Sequence, residues 1–161
     1  LSALQIDQTK TRDFAYSAPY FDAGQVLVVL DQTAVEGPLL GPTDLGNTTV
    51  AVQLGTDAHI EAFAWQKRIP NLIIRPINTA DDAMWIVLQG EADAAIVDSI
   101  SGRLYVRTFP DLHIVGTALS QEPYALVFRI EDERLLKRLD EALNALRGSG
   151  ELDAITAQWL D

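Results

Sequence analysis

The sequence predicts an α/β fold in which strands and helices alternate along the chain. Short apolar runs, such as residues 25–30 and 94–97, have the length of buried strands. Segments with helical spacing and helix-capping residues lie between these runs. The chain has 161 residues, 48% of them hydrophobic, which suits one domain or two small lobes. We therefore expect a mostly parallel sheet with helices on its faces.

Glycine, proline and capping residues set the order of the elements. Strands are predicted at residues 25–30, 49–54, 72–76, 94–97, 112–116 and 124–129. Helices are predicted at residues 58–67 and 101–109, and a third lies between the Thr79–Asp82 capping box and Gly90. A long helix is predicted to begin at Asp132 and to be ended by Gly148 and Gly150. A last helix is predicted around Leu152 to Trp159. Residues 31–48 form a loop with a short helical turn near residues 43–45.

Composition excludes several classes of function. The net charge is −11 and no Lys/Arg cluster is present, so a nucleic-acid partner is not expected. The chain has no cysteine and therefore no disulfide or thiolate site, and no metal or cofactor is expected. We interpret His59 and His113 as surface residues. The apolar runs are too short to cross a membrane, so no membrane span is expected.

Two places follow the carboxyl ends of predicted strands, where α/β sheets bind ligands. The first is the turn Gly55-Thr56-Asp57, where free N–H groups at a helix start can hold a carboxylate or a phosphate. Asp57 can instead cap the helix, and both roles are compatible. The second is Asp98, whose carboxylate suits a ligand ammonium group. The alternative for Asp98 is a cap on the helix that follows.

Several motifs resemble the polar amino-acid family (family 3) of bacterial periplasmic solute-binding proteins. They are YSAPYF at residues 16–21, VAVQLGT at residues 50–56, LQGEADA at residues 88–94, and LRGSGEL at residues 146–152. The resemblance covers essentially the whole chain, in order and with compatible spacing. It implies the type II periplasmic-binding-protein fold, which has two α/β lobes joined by two hinge strands.

On this template the chain divides into two parts. Residues 1–28 and 126–161 would form part of lobe 1, which we expect to be incomplete, and residues 29–125 would form lobe 2. The resemblance implies capture of a small polar solute by hinge closure and delivery to an ABC transporter permease. It also implies a location in the periplasm or outside the cell, either free or attached by a lipid anchor.

The resemblance also implies a set of ligand-binding residues. Asp98 matches the aspartate that pairs with the ligand ammonium group, and Thr56 lies in the turn that binds the ligand carboxylate. Lys10 stands where the family has a carboxylate-clamping arginine, and a lysine offers only a point charge in place of a bidentate fork. The other members of the set are Gln5, where Ser or Thr is usual, and Ala3, Gln53, Gly55 and Asp57.

Asp57 adds a negative charge where the family often has Thr, Ser or Gly. An amino acid or a related cationic amine is therefore the expected ligand, and no enzymatic activity is expected. Two alternatives stay open. One is a ligand-sensing domain of a membrane receptor with the same fold. The other is a dehydratase-like enzyme on this fold, which would need a general acid or base in the cleft.

Overall fold

The computed structural model describes residues 4–31 and 39–160, and strands alternate with α-helices between residues 49 and 115. The chain divides into two compact units. Unit 1 comprises Leu1–Ala23 and Glu122–Asp161, and unit 2 comprises Gly24–Gln121. These divisions lie four or five residues before the boundaries at residues 28/29 and 125/126 expected from the sequence. The difference arises because the strand that begins at Gln25 pairs along its whole length inside unit 2.

The strands in the described residues are β1 (Leu4–Gln5), β2 (Phe14–Tyr16), β3 (Phe21–Asp22), β4 (Gln25–Leu30), β5 (Thr49–Gln53), β6 (Ile73–Ile77), β7 (Ala94–Asp98), β8 (Leu112–Val115), β9 (Pro123–Ala125) and β10 (Val127–Arg129). The α-helices there are α1 (Asp57–Gln66), α2 (Ala80–Leu88), α3 (Ser99–Thr108), α4 (Glu133–Gly148) and α5 (Glu151–Leu160). Short 3-10 turns occupy Gln8–Lys10 and Pro42–Asp44, the second close to the helical turn expected near residues 43–45.

Unit 2 is built on a five-stranded sheet in the order β6-β5-β7-β4-β8. The strands β6, β5 and β7 are parallel, whereas β4 is antiparallel to both β7 and β8. The prediction of a mostly parallel sheet is therefore wrong, since half of the pairings are antiparallel. The apolar run of β4 did not reveal this, because a strand buried on both faces looks the same in either direction.

The sheet of unit 2 is covered on both faces. Along β4, Leu27 and Val29 pack in the cluster that includes α1, whereas Val26 and Val28 pack in the cluster that includes α2. Successive side chains of a strand point to opposite faces, so the positions of β4 from Val26 to Val29 contribute to both clusters and are all apolar. This explains the uninterrupted run from Val26 onward.

Helix α3 approaches β4 closely at Gly102. A Cβ atom at this position would lie 2.8 Å from Cγ2 of Val26 and 3.5 Å from Cγ2 of Val28. We expect Gly102→Ala to lower the free energy of unfolding, because overpacking costs about 1–3 kcal/mol. The gain in helix propensity of about 1 kcal/mol offsets only part of this cost. Urea denaturation measures the difference.

The matched control is Gly148→Ala on α4, where an added Cβ meets nothing within 4 Å among the described residues. Only the propensity gain operates there, so this variant is expected to be as stable as the parent chain or more stable. If both alanine variants raise the free energy of unfolding equally, the close α3–β4 contact is not a packing constraint.

Within the described residues, unit 1 contains two small antiparallel sheets, and the single strand expected at residues 124–129 is divided between them as β9 and β10. Strand β9 lies between β1 and β3, and β10 pairs with β2. The break falls at Leu126, whose N–H donates to the hydroxyl of Ser17. Ser17 N–H in turn donates to the carbonyl of Leu126. A buried side-chain acceptor at Ser17 thus replaces one rung of the ladder.

The carboxyl-terminal helices belong to unit 1. In helix α4, Leu143 is buried, and the helix ends before Gly150, which adopts a left-handed φ of 78°. Asp140 on α4 accepts a hydrogen bond from Ala18 N at 2.8 Å, which ties the helix to the loop after β2. Within residues 4–31 and 39–160, no helix has the length and hydropathy that a membrane span requires.

Candidate functional site

One end of the unit 2 sheet collects polar side chains from three neighbouring strands. The parallel strands β5 and β7 end there at Gln53 and Asp98. Strand β4 runs in the opposite direction, so it begins at this end, and its Gln25 lies opposite Asp98 in the register. Helix α1 also begins here, and three residues, 54–56, separate it from the end of β5. The directions of the three strands therefore bring the side chains of Gln53, Asp98 and Gln25 together with the start of α1.

These groups line a pocket with a volume of about 110 Å³. This volume is below that of pockets that enclose a whole drug-sized ligand, so the pocket suits the polar end of a small ligand. Both charged residues in its described lining are carboxylates, and four of the lining residues are apolar. The lining residues are Gln25, Gln53, Thr56, Asp57, Ala58, Ala80, Ile96, Val97 and Asp98.

Asp98 caps helix α3 and lines the pocket at the same time. Its Oδ1 accepts hydrogen bonds from Ile100 N at 3.1 Å and Ser101 N at 2.9 Å, and its Oδ2 accepts one from Ser101 Oγ at 2.7 Å. The cap explains why α3 begins at Ser99 and not at residue 101. Ser101 Oγ occupies one of the two lone-pair positions of Oδ2, so the carboxylate retains capacity to accept another donor.

The turn before α1 presents the start of that helix to the pocket. Gly55 has a φ of 78°, which is the left-handed conformation that glycine adopts without strain. The hydroxyl of Thr56 donates to the carbonyl of Gln53 at 2.8 Å, and this N-cap residue makes no side-chain hydrogen bond to the N–H groups of α1. The first N–H groups of α1 are therefore not used by its N-cap residue, and such groups favour an anion.

Four of the residues predicted from the sequence line this pocket: Gln53, Thr56, Asp57 and Asp98. Gly55 adjoins them in the turn. Gln53 also donates from its Nε2 to the carbonyl of Asn78 at 3.4 Å, so its side chain is held along the edge of the sheet. That these residues bind a ligand stays a prediction, which the pocket supports by bringing them together.

The other predicted residues belong to unit 1 or lie outside the described residues. Lys10 is exposed and pairs with Asp7, Nζ to Oδ2, at 3.3 Å. Hydrogen bonds from Thr9 and, more weakly, the charge of Lys10 hold the pKa of Asp7 below its ordinary value. Gln5 pairs with Tyr124 across β1 and β9. Ala3 lies outside the described residues. The ligand-binding roles of these three residues stay predictions.

Gln25 is the polar pocket residue that sequence reasoning missed. It is 4% exposed and stands at the start of a strand that was predicted only as a buried strand, without a site residue. A signal was present, because a glutamine at the head of the run QVLVVL is the single polar residue of a buried strand. Using that signal required the strand direction, which only the sheet topology supplies.

Comparison with known proteins gives consistent results. The family described as bacterial extracellular solute-binding proteins, family 3, matches residues 1–161. The amino-acid-binding protein AabA of Dichelobacter nodosus is 25% identical, over 99% of this chain and 62% of its own length. A mutant of ArgBP from T. maritima is 34% identical with a TM-score of 0.64, and the match covers 98% of this chain and 66% of that structure.

An ancestral cationic amino acid solute binding protein superposes with a TM-score of 0.83 at 27% identity, over 100% of this chain and 68% of that structure. These structures confirm the type II periplasmic-binding-protein fold expected from the sequence. The family resemblance is likewise confirmed. The chain spans about three fifths of the length of AabA.

Proposed function

This chain belongs to the bacterial extracellular solute-binding proteins, family 3, and we propose that it binds an amino acid or a related cationic amine without transforming it. The observation that carries the proposal is that Asp98, Thr56 and Asp57 line one pocket at the end of the sheet. Its volume suits the charged end of a small molecule.

The pocket offers complementary groups for an α-amino acid. The ligand ammonium pairs with Asp98, whose carboxylate is already oriented by the three hydrogen bonds of the α3 cap. A charge-assisted hydrogen bond of this kind is about twice as strong as a neutral one. The ligand carboxylate meets the first N–H groups of α1, where the helix dipole favours an anion.

Asp57 favours ligands that carry an additional positive charge. It is exposed at the first position of α1 and adds a second carboxylate to the pocket lining. It attracts a second cationic group of a ligand and repels an acidic side chain. The similarity to an ancestral protein that is described as binding cationic amino acids supports this preference.

Calorimetric titration with a small ligand panel tests the proposal. L-arginine is expected to bind, and N-acetyl-L-arginine, which lacks the α-ammonium group, is expected to bind at least tenfold more weakly, which corresponds to about 1.4 kcal/mol. Agmatine lacks the carboxylate, so its affinity relative to L-arginine measures the contribution of the α1 N-terminus. The affinity for L-glutamate measures how strongly Asp57 repels an acidic side chain. If no member of the panel, with L-lysine and putrescine included, produces heat or a thermal shift, the proposal is wrong.

The role of Asp57 is tested by Asp57→Asn. We expect this change to weaken the binding of L-arginine and agmatine by about 1.4- to 5-fold, because a solvent-exposed ion pair contributes about 0.2–1 kcal/mol. The affinity for L-glutamate is expected to rise. Asp153→Asn on α5 changes the net charge equally at an exposed position of unit 1 and serves as the control. Equal effects of both variants would show that Asp57 acts only through net charge.

The wider role that we propose is transport. The ligand-loaded protein would deliver its solute to an ABC transporter permease, in the periplasm or outside the cell. We propose that unit 2 corresponds to lobe 2 and unit 1 to part of lobe 1, and that ligand capture involves hinge closure. Membership in a family of extracellular solute-binding proteins supports each of these steps. Co-purification of a ligand-dependent complex with the permease would test the partner.

A further inference from the structure

His59 is bonded to the turn that forms one wall of the pocket. Gly55 N–H donates to Nδ1 of His59 at 3.2 Å, from the turn to the first turn of α1. The main chain of His59 also bonds to the turn, since His59 N–H donates to the carbonyl of Thr56 at 3.0 Å. His59 therefore bonds to the two residues that precede α1, to Gly55 through its side chain and to Thr56 through its main chain.

The hydrogen bond from Gly55 favours one tautomer of the neutral imidazole. Because Nδ1 accepts, it carries no proton, and the ring proton of the neutral side chain is on Nε2. Nε2 is buried and has no hydrogen-bond partner within residues 4–31 and 39–160. The ring also packs against Phe63, with 4.5 Å between the ring centroids. The side chain of His59 is half-buried, so its sequence-based interpretation as a surface residue holds only in part, and not at Nε2.

A buried N–H without a partner destabilises the folded chain, so an apolar side chain would satisfy this position better. An apolar side chain at this position would, however, provide no acceptor for the N–H of Gly55. The Nδ1 acceptor fixes Gly55, and the next three residues along the chain, Thr56, Asp57 and Ala58, all line the pocket. The turn thus owes its position to a side chain that is not among the pocket-lining residues.

We propose that His59 is a positioning residue, whose Nδ1 holds the Gly55-Thr56 turn so that the start of α1 stays aligned with the bound ligand. This inference rests on the proposed function, because it assigns a regulator of affinity to the same pocket. Small displacements of binding groups reduce affinity strongly, so the turn needs support from behind. Histidine supplies that support through an acceptor that is rigidly placed at the δ position.

The chain offers a matched set of variants. In His59→Asn the oxygen Oδ1 takes the place of Nδ1 on the same Cγ atom, so the acceptor is retained. His59→Leu removes the acceptor and also the buried N–H. His59→Gln moves the acceptor one bond further out and serves as a second variant without an acceptor at the δ position.

Binding of L-arginine is measured by calorimetry and stability by thermal unfolding of each variant. We expect His59→Leu and His59→Gln to lower the affinity for L-arginine by about three- to tenfold, which is the effect of one net hydrogen bond. His59→Asn is expected to stay within about twofold of the parent chain. The unfolding midpoint of His59→Leu is expected to hold or rise while its affinity falls, a split that a purely structural role would not produce.

Two results would overturn the inference. One is L-arginine binding by His59→Leu and His59→Gln that equals that of the parent chain. The other is an imidazole nitrogen NMR spectrum of the parent chain in which Nδ1, and not Nε2, carries the proton. If the parent chain binds no member of the ligand panel, the proposed function fails instead, and the NMR spectrum still decides whether Nδ1 is the acceptor.

Discussion

Replacing Asp98 by asparagine is expected to weaken ligand binding by about 10- to 150-fold while the fold persists. A hydrogen bond to a charged group contributes about 1.5–3 kcal/mol, and this substitution removes the charge that would pair with the ligand ammonium. The amide oxygen of asparagine can still accept from Ile100 N and Ser101 N, because asparagine caps helices as well as aspartate does. Calorimetry with L-arginine measures the affinity.

Asp98→Ala separates the two roles of this residue. Alanine removes both the charge and the α3 cap, so the loss of affinity is joined by a loss of about 0.5–2 kcal/mol in the free energy of unfolding. Urea denaturation of Asp98→Asn should show a change of at most about 1 kcal/mol, from the weaker interaction with the helix dipole. If Asp98→Asn binds L-arginine as tightly as the parent chain, the carboxylate is a helix cap and nothing more.

Replacing Leu27 by alanine is expected to produce the largest loss of stability among the changes considered. Leu27 is 0% exposed, lies within β4 between β7 and β8, and packs in the core on the α1 side of the sheet. Truncating a fully buried leucine leaves a cavity and costs about 2–5 kcal/mol. This is a large share of the stability of a typical domain. Urea denaturation gives the free energy of unfolding.

Leu104→Ala is the matched control, because Leu104 is 45% exposed on helix α3 and helix propensity slightly favours alanine. Its effect is expected to lie within about 0.5 kcal/mol. Similar losses in the two variants would mean that the core of unit 2 is not organised around β4. A small loss for Leu27→Ala alone would mean that the neighbouring side chains close the cavity.

Element type was predictable from local signals, because those signals act within a few residues. The hydroxyl of Thr79 accepts from Asp82 N at the start of α2, as the capping box predicts, although the Asp82 carboxylate accepts from that hydroxyl and not from the backbone. Gly90 has the left-handed φ expected of a residue that follows a helix. These local preferences do not depend on the rest of the chain.

Strand direction was not predictable, because it depends on pairing between distant segments. From Val26 onward the residues of β4 are apolar at successive positions, and this pattern does not reveal the direction of the strand. Yet the antiparallel direction of β4 is what brings Gln25 beside Asp98 at the pocket. The missed site residue and the wrong sheet prediction therefore have the same physical origin.

Asp98 illustrates a case in which two alternatives are compatible. Sequence reasoning weighed a helix cap against a ligand role, and the structure places the carboxylate in the cap and in the pocket lining at once. A cap hydrogen bond orients a carboxylate without using all of its lone pairs. For such a residue, only a substitution that preserves the cap can test the ligand role.

Amide chemical shifts recorded by NMR during a titration with L-arginine test the central claim most directly. If the pocket between β7 and the start of α1 is the ligand site, the amide signals of Asp57, Ala58, Ile100 and Ser101 will shift saturably with L-arginine and much less with N-acetyl-L-arginine. If these four signals stay fixed while signals elsewhere in the chain shift, or if no signal shifts at all, the pocket is not the site.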